Sequence, residues 1–150
     1  MLFRLVVTFC GHNTVEEPDA VRHWLERTVD ALIQDGATTF YLGGYGGFDR
    51  LAAAVMWEVK NRNKGVESIL VLPYLNRTTA VDLALYDGTI YPPLEKVGKR
   101  FAIVKRNQWM VDNADVVIAY VLHEWGGAVS MMRYAIRRQK EIIRYERLGP

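Results

Sequence analysis

Short apolar runs alternate with amphipathic stretches along the chain. Phe3 to Phe9 is brief and rich in β-branched residues, the pattern of a buried strand. "CGHN" interrupts it. Thr14 and Glu17 then stand at capping-box spacing, and Pro18 suits a first helical turn. Val21, Trp24, Leu25, Thr28 and Leu32 fall on one helical face, and Gly36 marks a stop. Thr38 to Leu42 reads as a second strand. Leu51, Ala52, Val55, Met56 and Val59 give the next helix its buried face. Ser68 to Leu72 reads as a third strand, and Thr78 to Tyr86 as a short helix. "DGTIYPPLEKVGKR" has the prolines and glycines of a loop. Beyond it, the pattern predicts a short strand over Phe101–Val104 and a helix over Arg106–Asn113. A clear strand follows over Val116–Leu122, then a helix over Gly127–Arg138 and a last strand over Ile142–Tyr145.

Strands alternating with helices predict an α/β fold: a Rossmann-like parallel sheet with helices on both faces. Such sheets bind ligands beyond the carboxyl ends of their strands. The glycine-rich breaks fall there: "CGHN", "GGYGG" and "HEWGG".

Length and composition narrow the class. The 150 residues fit one domain, 1–150, and half of them are hydrophobic, enough for a core. A single cysteine, Cys10, excludes an internal disulfide and fits a reducing cytoplasm. No segment has the signature of a signal peptide or a membrane span, so no membrane partner is expected. The net charge of +2 is close to balance. Arg137, Arg138, Lys140, Arg144 and Arg147 stand against Glu141 and Glu146 and read as a solvated face. Nucleic acid is therefore not expected as a partner, whereas a homo-oligomer is compatible with the sequence.

The glycines carry the chemistry. Gly43, Gly44, Gly46 and Gly47 precede a helix whose first N–H groups lack intrahelical acceptors. A glycine loop there lets backbone approach a phosphate, with the helix dipole favouring the anion. Gly126, Gly127 and Ala128 repeat the arrangement, with Trp125 placed to stack on a base. Tyr45 and Phe48 are further candidates for base or sugar contact. Asp49 is a helix cap or a ligand contact. Arg106 is placed to neutralise phosphate and Asn107 to bond a base or ribose, and Gly11 with His12 is placed to meet the ligand by backbone. Cys10 and His12 lack two further ligands nearby, so no metal is expected.

"FYLGGYGGFDRLAA", "RFAIVKRNQWMVDNADVVIAYV" and "EWGGAVSMMRYA", in that order after "TFCGH", resemble the SLOG superfamily of Rossmann-like proteins, and within it the YpsA-like branch. The superfamily includes LOG enzymes, which cleave the N-glycosidic bond of nucleoside monophosphates, the DNA-processing protein DprA, and domains proposed to sense nucleotide-derived ligands. The resemblance implies one phosphate motif at Gly43, Gly44, Gly46 and Gly47 and a second at Gly126, Gly127 and Ala128. It places the phosphate-loop arginine at Arg106 and the acidic strand-opening residue at Asp115. The chain departs from the LOG pattern at Trp125 and at Ser130, which stands where the catalytic glutamate would be. Loss of that carboxylate removes the group expected to stabilise an oxocarbenium-like centre. No catalytic residue is assigned, and Glu124 is the one acid beside the second loop. The expected function is binding of a nucleotide-derived ligand of the AMP, ADP-ribose or NAD class by a sensor or regulatory protein with no cofactor. A LOG-like phosphoribohydrolase and a DprA-like nucleic-acid binder are the alternatives.

Overall fold

The computed structural model describes residues 4–74, 84–94 and 97–147. Its strands are β1 (Leu5–Gly11), β2 (Ala37–Leu42), β3 (Glu67–Val71), β4 (Gly88–Ile90), β5 (Val116–Tyr120) and β6 (Glu141–Arg144). Its helices are α1 (Pro18–Gln34), α2 (Gly47–Arg62), α3 (Lys99–Asp112) and α4 (Gly127–Arg137). The six strands form one sheet in the order β4-β3-β2-β1-β5-β6, and every neighbouring pair is parallel. The α/β, Rossmann-like fold is therefore as the alternation of elements predicts.

Side-chain alternation along the strands splits the core in two. Val7 and Phe9 of β1 join Val116, Ile118 and Tyr120 of β5 on one face, under Val21, Leu25 and Val29 of α1 and Ala52, Val55 and Met56 of α2. Cys10, Val117, Ala119 and Val121 face the other way, against Met110 and Val111 of α3 and Val129, Met132 and Ala135 of α4. Burial on both faces explains why β5 is continuously apolar. Phe40, fully enclosed in the first cluster, would cost about 3–5 kcal/mol on truncation to alanine.

The strand order reverses at β1. The chain builds β2, β3 and β4 outward on one side, then returns to place β5 and β6 on the other. The register pairs Phe9 with Ile118 and Gly11 with Tyr120, so β1 and β5 end level. Their connections leave in opposite directions and open a crevice between them. Asp115 fixes the start of this pair: its carboxylate accepts the Val6 N–H at 2.8 Å and its own N–H donates to the Val6 carbonyl at 2.7 Å.

Three local expectations need correction. Phe101–Val104 is not a strand but the first turn of α3. A four-residue apolar run cannot separate strand from helix, and here only Ala102 is buried while Phe101 and Val104 stay 57% and 49% exposed. The expected loop from Asp87 contains β4, which pairs with β3. Lys60 fastens it by bonding Ser68 Oγ, the Leu85 carbonyl and Asp87 Oδ2, a long-range arrangement with no local signature. Thr14 and Glu17 form no capping box: Glu17 is itself the N-cap, in a left-handed conformation without a side-chain cap, and Pro18 opens α1. The helix expected over Thr78–Tyr86 falls mostly outside the described residues.

Candidate functional site

A cavity of about 500 Å³ occupies the crevice where β1 and β5 end. The end of β1 supplies Gly11, His12 and Asn13, and the loop after β5 supplies His123, Trp125, Gly126, Gly127 and Ala128. Arg106 and Asn107 enter from α3, and Tyr45 and Asp49 from the turn between β2 and α2.

Three stacked rings form one wall. His12 lies against His123 with centroids 3.6 Å apart, and His123 lies against Trp125 at 3.8 Å. Tyr120 meets His12 edge-on. His12 Nε2 accepts the backbone N–H of Leu122 at 2.9 Å and that of His123 at 3.4 Å. The ring is therefore neutral, with its proton on Nδ1. Burial lowers its pKa, and the neighbouring His123 and Arg144 lower it further. His12 thus pins the loop that ends in Trp125, which is 69% exposed and offers its outer face to the cavity mouth.

The two glycine turns differ. Both N-caps, Gly46 of α2 and Gly126 of α4, adopt nearly the same backbone, φ 93 and ψ 173 against φ 102 and ψ 178. At α2 the turn is filled by the protein itself. The Gly47 N–H donates to the Asn13 carbonyl at 2.7 Å and the Phe48 N–H to the His12 carbonyl at 3.3 Å. A Cβ on Gly46 or Gly47 would run into Asn13, and one on Gly44 would lie 2.6 Å from Leu70. Phe48 is fully buried in the core and stacks on Tyr120. At α4, among the described residues, no group accepts a hydrogen bond from the N–H of Gly127 or Ala128. A Cβ on Gly126 or Gly127 would meet nothing within 4 Å. This helix end is open to the cavity.

Arg106 is buried beneath the cavity, only 2% exposed. Its Nη1 donates to the carbonyls of Gly43 at 2.9 Å and Val71 at 3.0 Å, and its Nε donates to Asn107 Oδ1 at 2.9 Å. It therefore ties together the ends of β2 and β3 while lending positive charge to the floor. Asp49 faces it from α2. Burial pushes the Asp49 carboxyl up to about 6, against the opposing pull of the Tyr45 N–H bond and of Arg106 and Arg50. Cys10 is also enclosed, and burial pushes its thiol up to about 12, so it carries no thiolate at neutral pH.

Of the sequence-predicted residues, Gly11, His12, Tyr45, Asp49, Arg106, Asn107, Trp125, Gly126, Gly127 and Ala128 line the one cavity. Gly43, Gly44, Gly46, Gly47 and Phe48 do not. Glu124 is outside it, paired with Arg133 at 3.2 Å, and Ser130 is exposed on α4. Sequence reasoning missed Asn13, Glu16, Tyr120 and His123. Tyr120 reads as one more apolar position of a strand, yet its hydroxyl accepts the Glu16 N–H at 2.9 Å and holds the β1–α1 loop over the crevice. Among the described residues no group of three His, Cys, Asp or Glu side chains is placed to hold a metal ion. Nor, among them, is any helix long and apolar enough to cross a membrane.

No family model matches the chain, and no curated protein matches it significantly. Solved structures do. DNA processing protein A from Helicobacter pylori, whose structure was described for its single-stranded DNA binding mode, is 19% identical over 97% of this chain and 67% of its own, with a TM-score of 0.66. The DprA structure from Streptococcus pneumoniae is 15% identical over 94% of this chain, with a TM-score of 0.67, and this chain spans half of its length. The structural-genomics target TM1055 is 16% identical over 92% of this chain and 72% of its own, with a TM-score of 0.62. At such identities the likeness is one of fold.

The likeness to the Helicobacter protein also overturns one expectation. A near-neutral net charge made nucleic acid an unexpected partner, yet a protein of this fold binds single-stranded DNA. A sum of charges does not report where on a surface the cations stand.

Proposed function

We propose that the chain binds a nucleotide or nucleotide-derived ligand, of the AMP, ADP-ribose or NAD class, in the crevice between β1 and β5, and that it acts as a sensor or regulatory protein of the YpsA-like type. The observation that carries this reading is the open N-terminus of α4 at the cavity. Unpartnered N–H groups at a helix start are a ready site for phosphate. The ring stack ending in Trp125 offers a nucleobase one more rung. Arg106 sets a positive potential under the phosphate, and Asn107 and the backbone of Gly11 meet the sugar or base.

Hydrolysis is the weaker reading. Glu124 is engaged by Arg133 outside the cavity, and Ser130 stands away from it. A phosphate cradle alone binds substrate and transition state alike and does not raise the rate of the chemical step. The test is calorimetric titration with AMP and with adenosine. AMP should bind about tenfold tighter or more, the scale of a charge-assisted hydrogen bond. Equal affinity for the two would remove the phosphate site from the account.

A second reading, single-stranded DNA binding, is favoured by the fold shared with the Helicobacter protein and by two exposed aromatics, Tyr45 and Trp125, at the cavity. Fluorescence anisotropy with a labelled oligonucleotide tests it. Salt-sensitive binding that free AMP does not compete with would put it first.

A further inference from the structure

Tyr45 belongs to two cavities. On one side it lines the β1–β5 crevice. On the other it lines a shallower groove of about 430 Å³ with Asn13, Gly44, Gly46 and Arg50. Asn13 is likewise shared, so the two spaces adjoin along a ridge made by these two residues. The ridge is fixed. The Tyr45 N–H donates to Asp49 Oδ2 at 3.1 Å, and the Asn13 carbonyl accepts the Gly47 N–H at 2.7 Å. Tyr45 is 65% exposed and lines both spaces.

The groove has one cation, Arg50, from the first turn of α2. Its side chain is exposed and forms no hydrogen bond or ion pair among the described residues. Among the described residues, Arg22, Arg62, Arg133, Arg138 and Arg147 are each paired with a carboxylate, whereas Arg50, like the exposed Arg4 and Arg27 elsewhere on the surface, is not. The adjacent acid, Asp49, is turned inward to the Tyr45 N–H and forms no ion pair with Arg50, although the two charges attract each other. The glycine floor contributes no other side chain to the groove and leaves the approach to Arg50 clear of bulk.

We propose that the ligand carries two separated phosphates, one at the start of α4 in the crevice and a second beyond Tyr45 at Arg50, which makes it a nucleotide extended by a second phosphate, of the dinucleotide class. This rests on the phosphate site at α4 argued above. A mononucleotide fills the crevice and leaves the groove empty. The second phosphate passes over the exposed Tyr45 ring and meets the free guanidinium.

Calorimetry separates the two claims. The probes are AMP and the 5′-phosphorylated adenylyl dinucleotide pApA, each titrated into the wild type and into Arg50→Gln. The wild type should bind pApA about tenfold tighter than AMP, a charge-assisted contact at a solvated site. Arg50→Gln should bring pApA to the affinity of AMP and leave AMP unchanged. Because Arg50 is exposed and forms no hydrogen bond or ion pair among the described residues, losing its attraction to Asp49 should move the melting temperature only slightly. Equal wild-type affinities for the two probes, or a gain that survives in Arg50→Gln, would overturn the second subsite while leaving the first intact. Binding of neither probe would overturn both.

Discussion

The starts of α2 and α4 are the same backbone device put to different uses. Each follows a parallel strand, and each has a glycine N-cap near φ 100 with ψ close to 180. At α2 the carbonyls of His12 and Asn13 take the first N–H groups, and Arg106 holds the Gly43 carbonyl from below. At α4 the first N–H groups face a cavity. Glycine density therefore does not by itself mark a helix start whose N–H groups are open. In the richer motif, four glycines in five positions, Gly46 and Gly47 are held against Asn13 of the β1–α1 loop, while Gly43 faces Arg106 and Asp49 and Gly44 faces Leu70. The sparer one lies open to a ligand.

The comparison breaks most visibly at Gly46. Gly46→Val puts a Cβ into Asn13 at a left-handed φ and should cost about 3 kcal/mol or more of stability by urea denaturation, as overpacking and backbone strain combine. A Gly46→Val protein as stable as the wild type would show that the α2 turn is not packed shut.

Asp49 gives the next largest effect, and its sign follows from its raised pKa. The folded state holds the proton up to about pH 6, whereas the unfolded chain loses it near 3.8. The contribution is fully present below 3.8 and is lost as pH rises through 6. Asp49→Asn should therefore be the more stable protein at pH 7–8, by at most about 3 kcal/mol, and show no advantage at pH 3.5. His12, on the α4 side, acts in the opposite sense. Its lowered pKa leaves stability intact above 6.5 and removes it as pH falls from there toward the folded value, because the unfolded chain protonates first. With Asp49 replaced, this acid-side loss should stand out in thermal melts between pH 6.5 and 5. A flat profile there would mean that the Leu122 N–H bond to His12 does not hold the loop.

Trp125→Ala sharpens the contrast from the ligand's side. Loss of the outer ring should weaken AMP by about 1–3 kcal/mol in calorimetry. Stability should change little, since Trp125 is mostly exposed. The smallest effect is expected at Gly127→Ala, where nothing lies within 4 Å of the added methyl. Its stability should stay within about 0.5 kcal/mol of wild type.

Much of the fold was legible because apolar periodicity is written locally. β5 and the faces of α1 and α2 follow from it directly. Phe101–Val104 was not, because an apolar run on an exposed helical turn looks like a strand. β4 was not, because its three residues are secured from a distance by β3 and Lys60. At the site, the positions of Gly11 and Gly126 beside strand ends were readable from the alternation of elements, whereas Arg106, in the middle of α3, was placed there by the family resemblance. The closure of the α2 turn was not, since Asn13 lies more than thirty residues away in sequence and carries no motif. Phe48 illustrates the same limit: an aromatic after a glycine loop is suited equally to a base or to the core, and only packing against Phe9 and Tyr120 decides.

The most direct test follows backbone amide resonances of the ¹⁵N-labelled protein during titration with AMP. The account predicts saturable shifts at Gly126, Gly127 and Ala128 and at the Trp125 indole, with the amides of Gly47 and Phe48 unmoved because His12 and Asn13 already hold them. Shifts centred on Gly47 and Phe48, with α4 silent, would contradict it.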